Sequence, residues 1–431
     1  MTMNHPTPMK IMPLEALADT ILPLREQMAL RNRWLKKRLD TLLPDLMARA
    51  GLDMWLVIAR EYNEDPVIMS LLPEPAMSAR RRTMLLFYRR DDGTVERLNL
   101  SRYAHEGYYE SAWDPDKDAD QYACLARVIE ERNPATIGLN HAPLFAFGDG
   151  LSYGEYTRLA EALGPELIAR TQSAQAMSVG WLEARIPEEM AVYPHLTAIG
   201  HSIIATAFSR RVITPGATEL DDVRWWMRET MQSLGLKAWF HPSFDLQAPG
   251  ENYDKEENKR QLILPGDLLW VDMGFTYLGL NTDQQQHGYV LRADETTAPD
   301  YLTALLKHGN RLQDIHMEEM AVGRTGNDVL HSALDRAKGE GINPQVYSHP
   351  LGYHGHAAGP TIGLWDHQEG VPGNGDYALY NNTCYSIELN VRGDVAEWDG
   401  QEVRIMLEED AALYDGGMHW IDGRQTDYYL L

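Results

Sequence analysis

Along the first fifty residues Leu and Met recur every three or four positions among Arg, Lys, Glu and Asp, which predicts an amphipathic helix from Pro13 to about Gly51. The period then changes. Trp55–Ala59 and Thr83–Tyr88 are short apolar runs of strand length, with a turn signal at Asp91-Asp92-Gly93 between charged flanks. A helical pattern from Asp120 to Arg132 leads into a further short strand, Thr136–Leu139, so residues 1–180 read as an α/β unit. A different order follows. Helices are predicted over 183–209, with Pro187 in the first turn, and over 219–234, 299–320 and 327–338. Strands are predicted over 268–272, 288–291, 384–391 and 402–409, several of them ending on acids. Helices first and acid-bearing strands later predict an α+β domain over residues 181–431.

Charge narrows the functional classes. With 39 Lys+Arg against 63 Asp+Glu, the 431-residue chain carries a formal charge of −24, which repels a phosphate backbone and argues against a nucleic-acid partner. Hydrophobic residues at 44 % and charged residues at 24 % are globular proportions, and the chain is long enough for two domains. Cys124 and Cys384 alone cannot form a disulfide framework and fit a reducing compartment. No apolar run reaches the ~18–20 residues needed to span a bilayer, and Met1–Lys10 lacks a signal-peptide core, so a cytoplasmic location is expected.

The densest chemistry lies in the second domain. Leu268–Asp272 is an apolar strand that ends on an acid; Gly274 lets the chain turn, and Asp283 follows eleven residues after Asp272. Period-two alternation in Thr383–Val391 places Glu388 on one face with Ser386 and Asn390, and Glu409 closes the strand-like run that starts at Val403. Carboxylates near a sheet interior are costly unless paired or bound to a cation. Four of them on strands of an acidic protein suggest a metal. Imidazole comes from the Gly- and Pro-rich segment 344–375, where His349, His354, His356 and His367 fall within nineteen positions. Neutral imidazole beside carboxylates suits Mn²⁺, Zn²⁺, Co²⁺ or Fe²⁺.

The order Asp, Asp eleven residues on, Gly-His-x-x-Gly, Ile-Glu and Glu-Asp resembles the pita-bread metallohydrolases: methionine aminopeptidase, aminopeptidase P, prolidase and creatinase. The resemblance runs from about Glu183 to the end, and the two-domain layout is similar to the creatinase, prolidase and aminopeptidase P branch. It implies a C-terminal pita-bread domain, an N-terminal creatinase-like α/β domain, and two divalent ions, Mn²⁺ foremost. It assigns Asp272, Asp283, Glu388 and Glu409 as ligands. His356, in Gly355-His356-Ala-Ala-Gly359, is the third ligand of that pattern, with His354 as the alternative. By the same resemblance Glu388 is also the general base for a metal-bridging hydroxide, while His367, His354 and His241 stabilise the oxyanion. The implied activity is an Xaa-Pro aminopeptidase or dipeptidase acting on a peptide, with a homodimer as the usual assembly. Two rivals share the scaffold: creatinase-like hydrolysis of a small amide or amidine, and a binding module without turnover.

Three departures bear on substrate. Where the family usually has a Thr-Arg-Thr-like strand after the second Asp, this chain has Gln284-Gln285-Gln286-His287. The Gly250–Glu257 segment lacks the histidine that exopeptidases place upstream of the metal strand, for which His241 is the substitute. His367 follows His356 by eleven positions, longer than the usual spacing, which implies a loop insertion. In the first domain the run Arg80-Arg81-Arg82 reads as a solvated rim or intersubunit ion pair, with a carboxylate clamp as the other reading.

Overall fold

The computed structural model describes residues 8–251 and 259–431, so of the Gly250–Glu257 segment only Gly250 and Glu251 are included. The chain divides into two compact units, Pro23–Leu182 and Glu183–Leu431, the second also taking in the segment that ends at Leu22. Pro23 interrupts the predicted opening helix: a short turn of helix at Leu14–Leu17 stops, and the main helix starts at Leu24 and runs to Lys37. It continues through a π turn into Leu43–Ala50 and stops at Gly51, whose φ of 64° only glycine adopts freely.

In Pro23–Leu182 the strands are β1 (Met54–Arg60), β2 (Arg82–Arg89), β3 (Val95–Asn99), β4 (Glu110–Ser111), β5 (Ile137–Leu139) and β6 (Thr171–Ser173). They form one mixed sheet in the order β4-β3-β2-β1-β5-β6. The central strand β1 is buried from Met54 to Ala59, which is why its sequence is a continuous apolar run rather than an alternation. Its parallel neighbour β5 is reached through the helix Gln121–Arg132, and β6 through Tyr153–Ile168, as parallel pairing requires.

In the second unit the strands are β7 (Lys237–Ala238), β8 (Ser243–Gln247), β9 (Leu268–Met273), β10 (Phe275–Tyr277), β11 (Leu280–Asn281) and β12 (Gln284–Tyr289), then β13 (Pro344–Val346), β14 (His349–Leu351), β15 (Thr383–Val395), β16 (Gln401–Tyr414), β17 (Gly417–Trp420) and β18 (Tyr429–Leu430). Nine of them make a sheet along the path β13-β15-β16-β12-β9-β8, with β14 on β15, β17 on β16 and β18 on β12; β11-β10-β7 is a small separate sheet. The strand expected at 288 begins four residues earlier. Gln284, Gln285 and Gln286 are all buried, and the Nε2 of each donates to an acceptor, so a polar run occupies the middle of the sheet. The helix expected over 183–209 is broken into pieces, Pro187–Met190 and Tyr193–Ala207, each opened by a proline in its first turn.

One face of this sheet is the core. Ile387, Leu389 and Val391 of β15 and Val403, Ile405 and Leu407 of β16 pack with Leu302, Leu306 and Leu312 of the helix Asp300–Glu319 and with Leu330 of the helix Gly326–Gly339. A side chain at Gly309 would meet Leu407 at 2.8 Å, so glycine there sets how closely helix and sheet approach. Among the described residues no helix is long and apolar enough to cross a membrane.

His316, on the core side of the same helix, is fully buried and has no hydrogen-bond partner on either ring nitrogen among the described residues. Burial pushes its pKa down to about 3. Because the folded value lies below the unfolded ~6.5, the unfolded chain takes the proton first, and His316 costs stability progressively as pH falls from about 6.5 toward 3. His316→Leu is expected to stabilise the protein by about 1–3 kcal/mol at neutral pH, the range for an unsatisfied buried polar group. The gain should grow by up to about 1.4 kcal/mol per pH unit on acidification, as followed by urea unfolding between pH 7 and 5. A gain that does not change with pH would show that His316 is not held neutral.

Candidate metal centre

The polar face of the same sheet carries a row of acids. Asp272 on β9 pairs with Ser243 on β8 and with Gln285 on β12; Gln285 pairs with Glu408 on β16, and Glu408 with Glu388 on β15. Directly opposed residues of antiparallel strands project from one face, so Asp272, Gln285, Glu408 and Glu388 stand side by side across four strands. Asp283 precedes β12, its backbone N–H donating to Asp410 Oδ1 at 3.1 Å. His349, on β14 opposite Ser386, brings an imidazole over the row.

Their ligand atoms converge. Asp272, Asp283 and Glu408 form one set, His349, Glu388 and Glu408 a second, and Asp283, His349 and His356 a third, each with its atoms within 4.8 Å of one another. Glu408 belongs to the first two sets. The arrangement is one of like charges held together with little to neutralise them, and the proton affinities show it. Burial, then the charge of Glu408, pushes Asp272 and Asp283 well above the usual carboxylate range, and Glu388 moves the same way for the same reasons. Burial disfavours a charged His349, but the carboxylates of Glu408 and Glu388 outweigh it and lift the ring to about 9. All four groups are asking for a positive charge.

The donor set fits a divalent cation. Oδ1 of Asp272, Oδ1 of Asp283 and Nε2 of His349 are buried and have no hydrogen-bond partner among the described residues. His349 Nε2 lies 3.4 Å from Asp283 Oδ2 and 3.4 Å from Glu408 Oε1 without being aligned to hydrogen-bond either. Its other nitrogen, Nδ1, is 3.0 Å from the carbonyl oxygen of Pro350. Once a cation takes the place of the Nε2 proton, a ring that donates from Nδ1 to a carbonyl turns the Nε2 lone pair to the cluster, the tautomer a metal ligand uses. The cluster has an open side: Glu388 keeps 18 % of its side-chain surface and His356 is exposed.

Gln285 has a role that sequence reasoning did not find. Its Nε2 donates to Glu388 Oε1 at 2.6 Å and to Glu408 Oε2 at 2.7 Å, while its Oε1 accepts from Trp270 Nε1 at 3.1 Å. The amide therefore fixes one oxygen of each glutamate, and Ser386 Oγ fixes the second oxygen of Glu408. Gln285→Leu is expected to weaken metal binding by about 10–100-fold, the usual cost of losing a group that orients a ligand, with titration calorimetry as the measurement.

The residues expected at the site separate into two groups. Asp272, Asp283 and Glu388 come together, and His356 joins them at the rim, its ring 4.6 Å from that of His349. Burial and the neighbouring His349 press the His356 pKa down to about 4. Trp239 stands at 5.3 Å from the His356 ring and would collide with a Cβ at Gly274 or at Gly355, so both glycines make room for the indole. Glu409 is a correction. It points to the core side of β16, the side of Val403, Ile405 and Leu407, where Oε1 accepts from Gln286 Nε2 at 2.6 Å and Oε2 lies 2.7 Å from His201 Nε2. His201 also faces Asp422 at 2.9 Å, and these two carboxylates overcome burial to push the ring up to about 9. Its neighbour Glu408 takes the place in the cluster.

Three further histidines stand elsewhere. His354 lies in the loop beside the buried Arg185, where burial and that guanidinium lower its pKa. His241 is exposed, its ring tilted against that of Trp225 with centroids 5.0 Å apart. His367 sits in an exposed turn, 3.8 Å from Asp366, while the next residue, Gln368, bonds the backbone of Val346. The imidazole that belongs with the acids is instead His349, placed by its pairing with β15.

The sequence profile of metallopeptidase family M24 matches residues 196–420, which contain the whole cluster. No curated protein is recognisably similar in sequence. Among solved structures, an X-Pro aminopeptidase from Thermotoga maritima superposes with a TM-score of 0.64 at 15 % identity, over 90 % of this chain and 100 % of that one. A putative aminopeptidase P from Bacillus anthracis gives 0.61 at 12 % identity, over 92 % and 96 %. A prolidase from Pyrococcus furiosus gives 0.55 at 13 %, over 89 % and 99 %. At these identities the likeness is one of fold, and it is the pita-bread fold that the motif order implied. Since the profile spans more than half of the 431 residues, the chain is a member of metallopeptidase family M24.

Proposed function

We propose that the chain is a dinuclear metal-dependent peptidase that removes an amino-terminal residue preceding proline, with Asp272, Asp283, His349, Glu388 and Glu408 as the ligands. One observation supports the metal count: two of the ligand sets, Asp272-Asp283-Glu408 and His349-Glu388-Glu408, meet at Glu408. Oxygen donors with one imidazole suit Mn²⁺ best among the ions considered, with Zn²⁺, Co²⁺ and Fe²⁺ as the others. Bound there, divalent ions supply Lewis acidity and a nucleophile at neutral pH.

The protein's own groups do the rest. Glu388 lies at the open side of the row and keeps Oε2 clear of Gln285, which bonds only Oε1, so this oxygen is the one able to accept a proton and pass it to a leaving nitrogen. His356, neutral at physiological pH and exposed at the rim, is placed to donate a hydrogen bond to a substrate carbonyl. The Xaa-Pro preference takes its support from two proteins of the same fold, an X-Pro aminopeptidase and a prolidase. The test is hydrolysis of a peptide library by metal-depleted protein, with and without Mn²⁺ or Zn²⁺. Release of the residue before proline, only with metal, is the expected result; cleavage restricted to dipeptides would make it a dipeptidase. Turnover of small amides alone, or of nothing, would overturn the proposal.

A further inference from the structure

The unit Pro23–Leu182 holds a cavity of about 560 Å³ whose wall includes five arginines, Arg80, Arg81, Arg82, Arg102 and Arg158. In a chain of net charge −24 this is an inversion of the prevailing field. Two of the five are committed. Arg82 forms a two-pronged pair with the buried Glu155, at 2.6 and 3.1 Å, and Arg80 lies over the Tyr103 ring and donates to its hydroxyl at 3.1 Å. The remaining three, Arg81, Arg102 and Arg158, have no carboxylate within ion-pair distance among the described residues, and all are exposed to the cavity or to solvent.

The one acid in the wall does not neutralise them. Asp120 Oδ1 accepts from the backbone N–H of Tyr122 and of Ala123, at 3.0 and 3.1 Å, and so caps the helix Gln121–Arg132. The arginines are also held in place. Arg158 and Arg82 both lie over the Tyr122 ring, with centroid distances of 5.1 and 5.2 Å, and the Tyr122 hydroxyl donates to Glu155 at 2.6 Å. Arg81 has φ of 59° in a turn pinned by Glu61, which accepts its N–H at 3.1 Å and donates its own N–H to the Arg81 carbonyl at 3.1 Å. Its backbone is fixed while its guanidinium has no carboxylate partner among the described residues. Three guanidinium groups without a carboxylate partner about a cavity of this volume are more than a single inorganic ion needs, and the volume is that of a small organic ligand.

We propose that this cavity binds a small molecule carrying several closely spaced oxyanion charges, held by charge-assisted hydrogen bonds from Arg81, Arg102 and Arg158. Guanidinium forks suit both phosphate and carboxylate oxygens, so the shared chemistry is multivalent oxyanion recognition. The test is titration calorimetry on the full chain at 0.15 M salt, with pyrophosphate as the phosphate probe and citrate as the carboxylate probe. Saturable 1:1 binding of either probe with Kd below about 1 mM is expected, and the tighter of the two identifies the ligand class. Arg102→Ala and Arg158→Ala should each weaken it at least tenfold, while metal content and peptide turnover stay as in the wild type. As both side chains are exposed, these variants should fold, which thermal unfolding verifies. Absence of heat with both probes, or equal binding by the Arg81→Ala/Arg102→Ala/Arg158→Ala triple variant, would overturn the proposal. So would loss of self-association in the triple variant without any anion binding by the wild type, since the arginines would then face acids of a second copy.

Discussion

Glu408→Gln is expected to lose metal binding and hydrolysis together, while Glu409→Gln keeps both and loses stability. Glu408 contributes to two ligand sets, and the substitution removes a negative charge from the middle of the row while leaving its shape. A Kd for Mn²⁺ raised by about a hundredfold or more, and turnover reduced by about 10³-fold, equivalent to about 4 kcal/mol, are the expected sizes. Glu409 has its side chain on the core face, where it neutralises the buried ring of His201. Breaking a buried pair from one side costs about 3–5 kcal/mol, so Glu409→Gln should unfold at lower temperature with Mn²⁺ affinity within about threefold of the wild type. Calorimetric titration and thermal unfolding of both variants decide the matter. If Glu409→Gln abolished metal binding and Glu408→Gln did not, the assignment of faces would be wrong.

Removal of metal should cost as much. Ions that bind the folded chain alone stabilise it by RT ln(1 + [M]/Kd), about 4 kcal/mol at a thousandfold excess over Kd, so chelation is expected to lower the melting temperature by about 8–16 °C. The sign of the pH dependence is specific. Asp272, Asp283 and Glu388 have folded values above their unfolded ones, and His349 is raised to about 9. In the metal-free protein the folded state therefore binds more protons, and this stability is present in acid and lost as pH rises from about 4 through about 9. Cations take over the role of those protons, so the gap between loaded and chelated protein should widen with pH. A gap that narrowed between pH 6 and 9 would mean that the cluster is neutralised from within the protein.

Much of this site is legible along the chain. An apolar strand ending at Asp272, a second acid at Asp283, and the alternation that turns Glu388 away from Ile387 and Leu389 are local facts, and each predicts its own side chain's surroundings. The choice between Glu408 and Glu409 was also written there, although less openly. Val403, Ile405 and Leu407 are the apolar members of their strand, and period two puts Glu409 with them. Reading the acid that closes the strand, instead of the parity of its neighbours, gives the wrong face. The histidines are a different problem. In a Gly-rich loop no period relates one imidazole to the next, and the motif match alone favours His356. Gln285 leaves no signal in the sequence, because a glutamine amide is informative only once its partners are known.

The sequence by itself determined the alternation of core and polar faces on β15 and β16, the apolar run of β9 that ends on Asp272, and a set of strand acids suited to a cation. Those follow from short-range periodicity and composition. Tertiary structure alone decided which strands lie side by side, so that Asp272, Gln285, Glu408 and Glu388 fall in one row, that His349 is pinned by β15 over them, and that three arginines without a carboxylate partner among the described residues border one cavity. Pairing of residues more than a hundred positions apart depends on the register of whole strands, which is fixed by burying one face of the sheet against helices and has no counterpart in any local stretch of sequence.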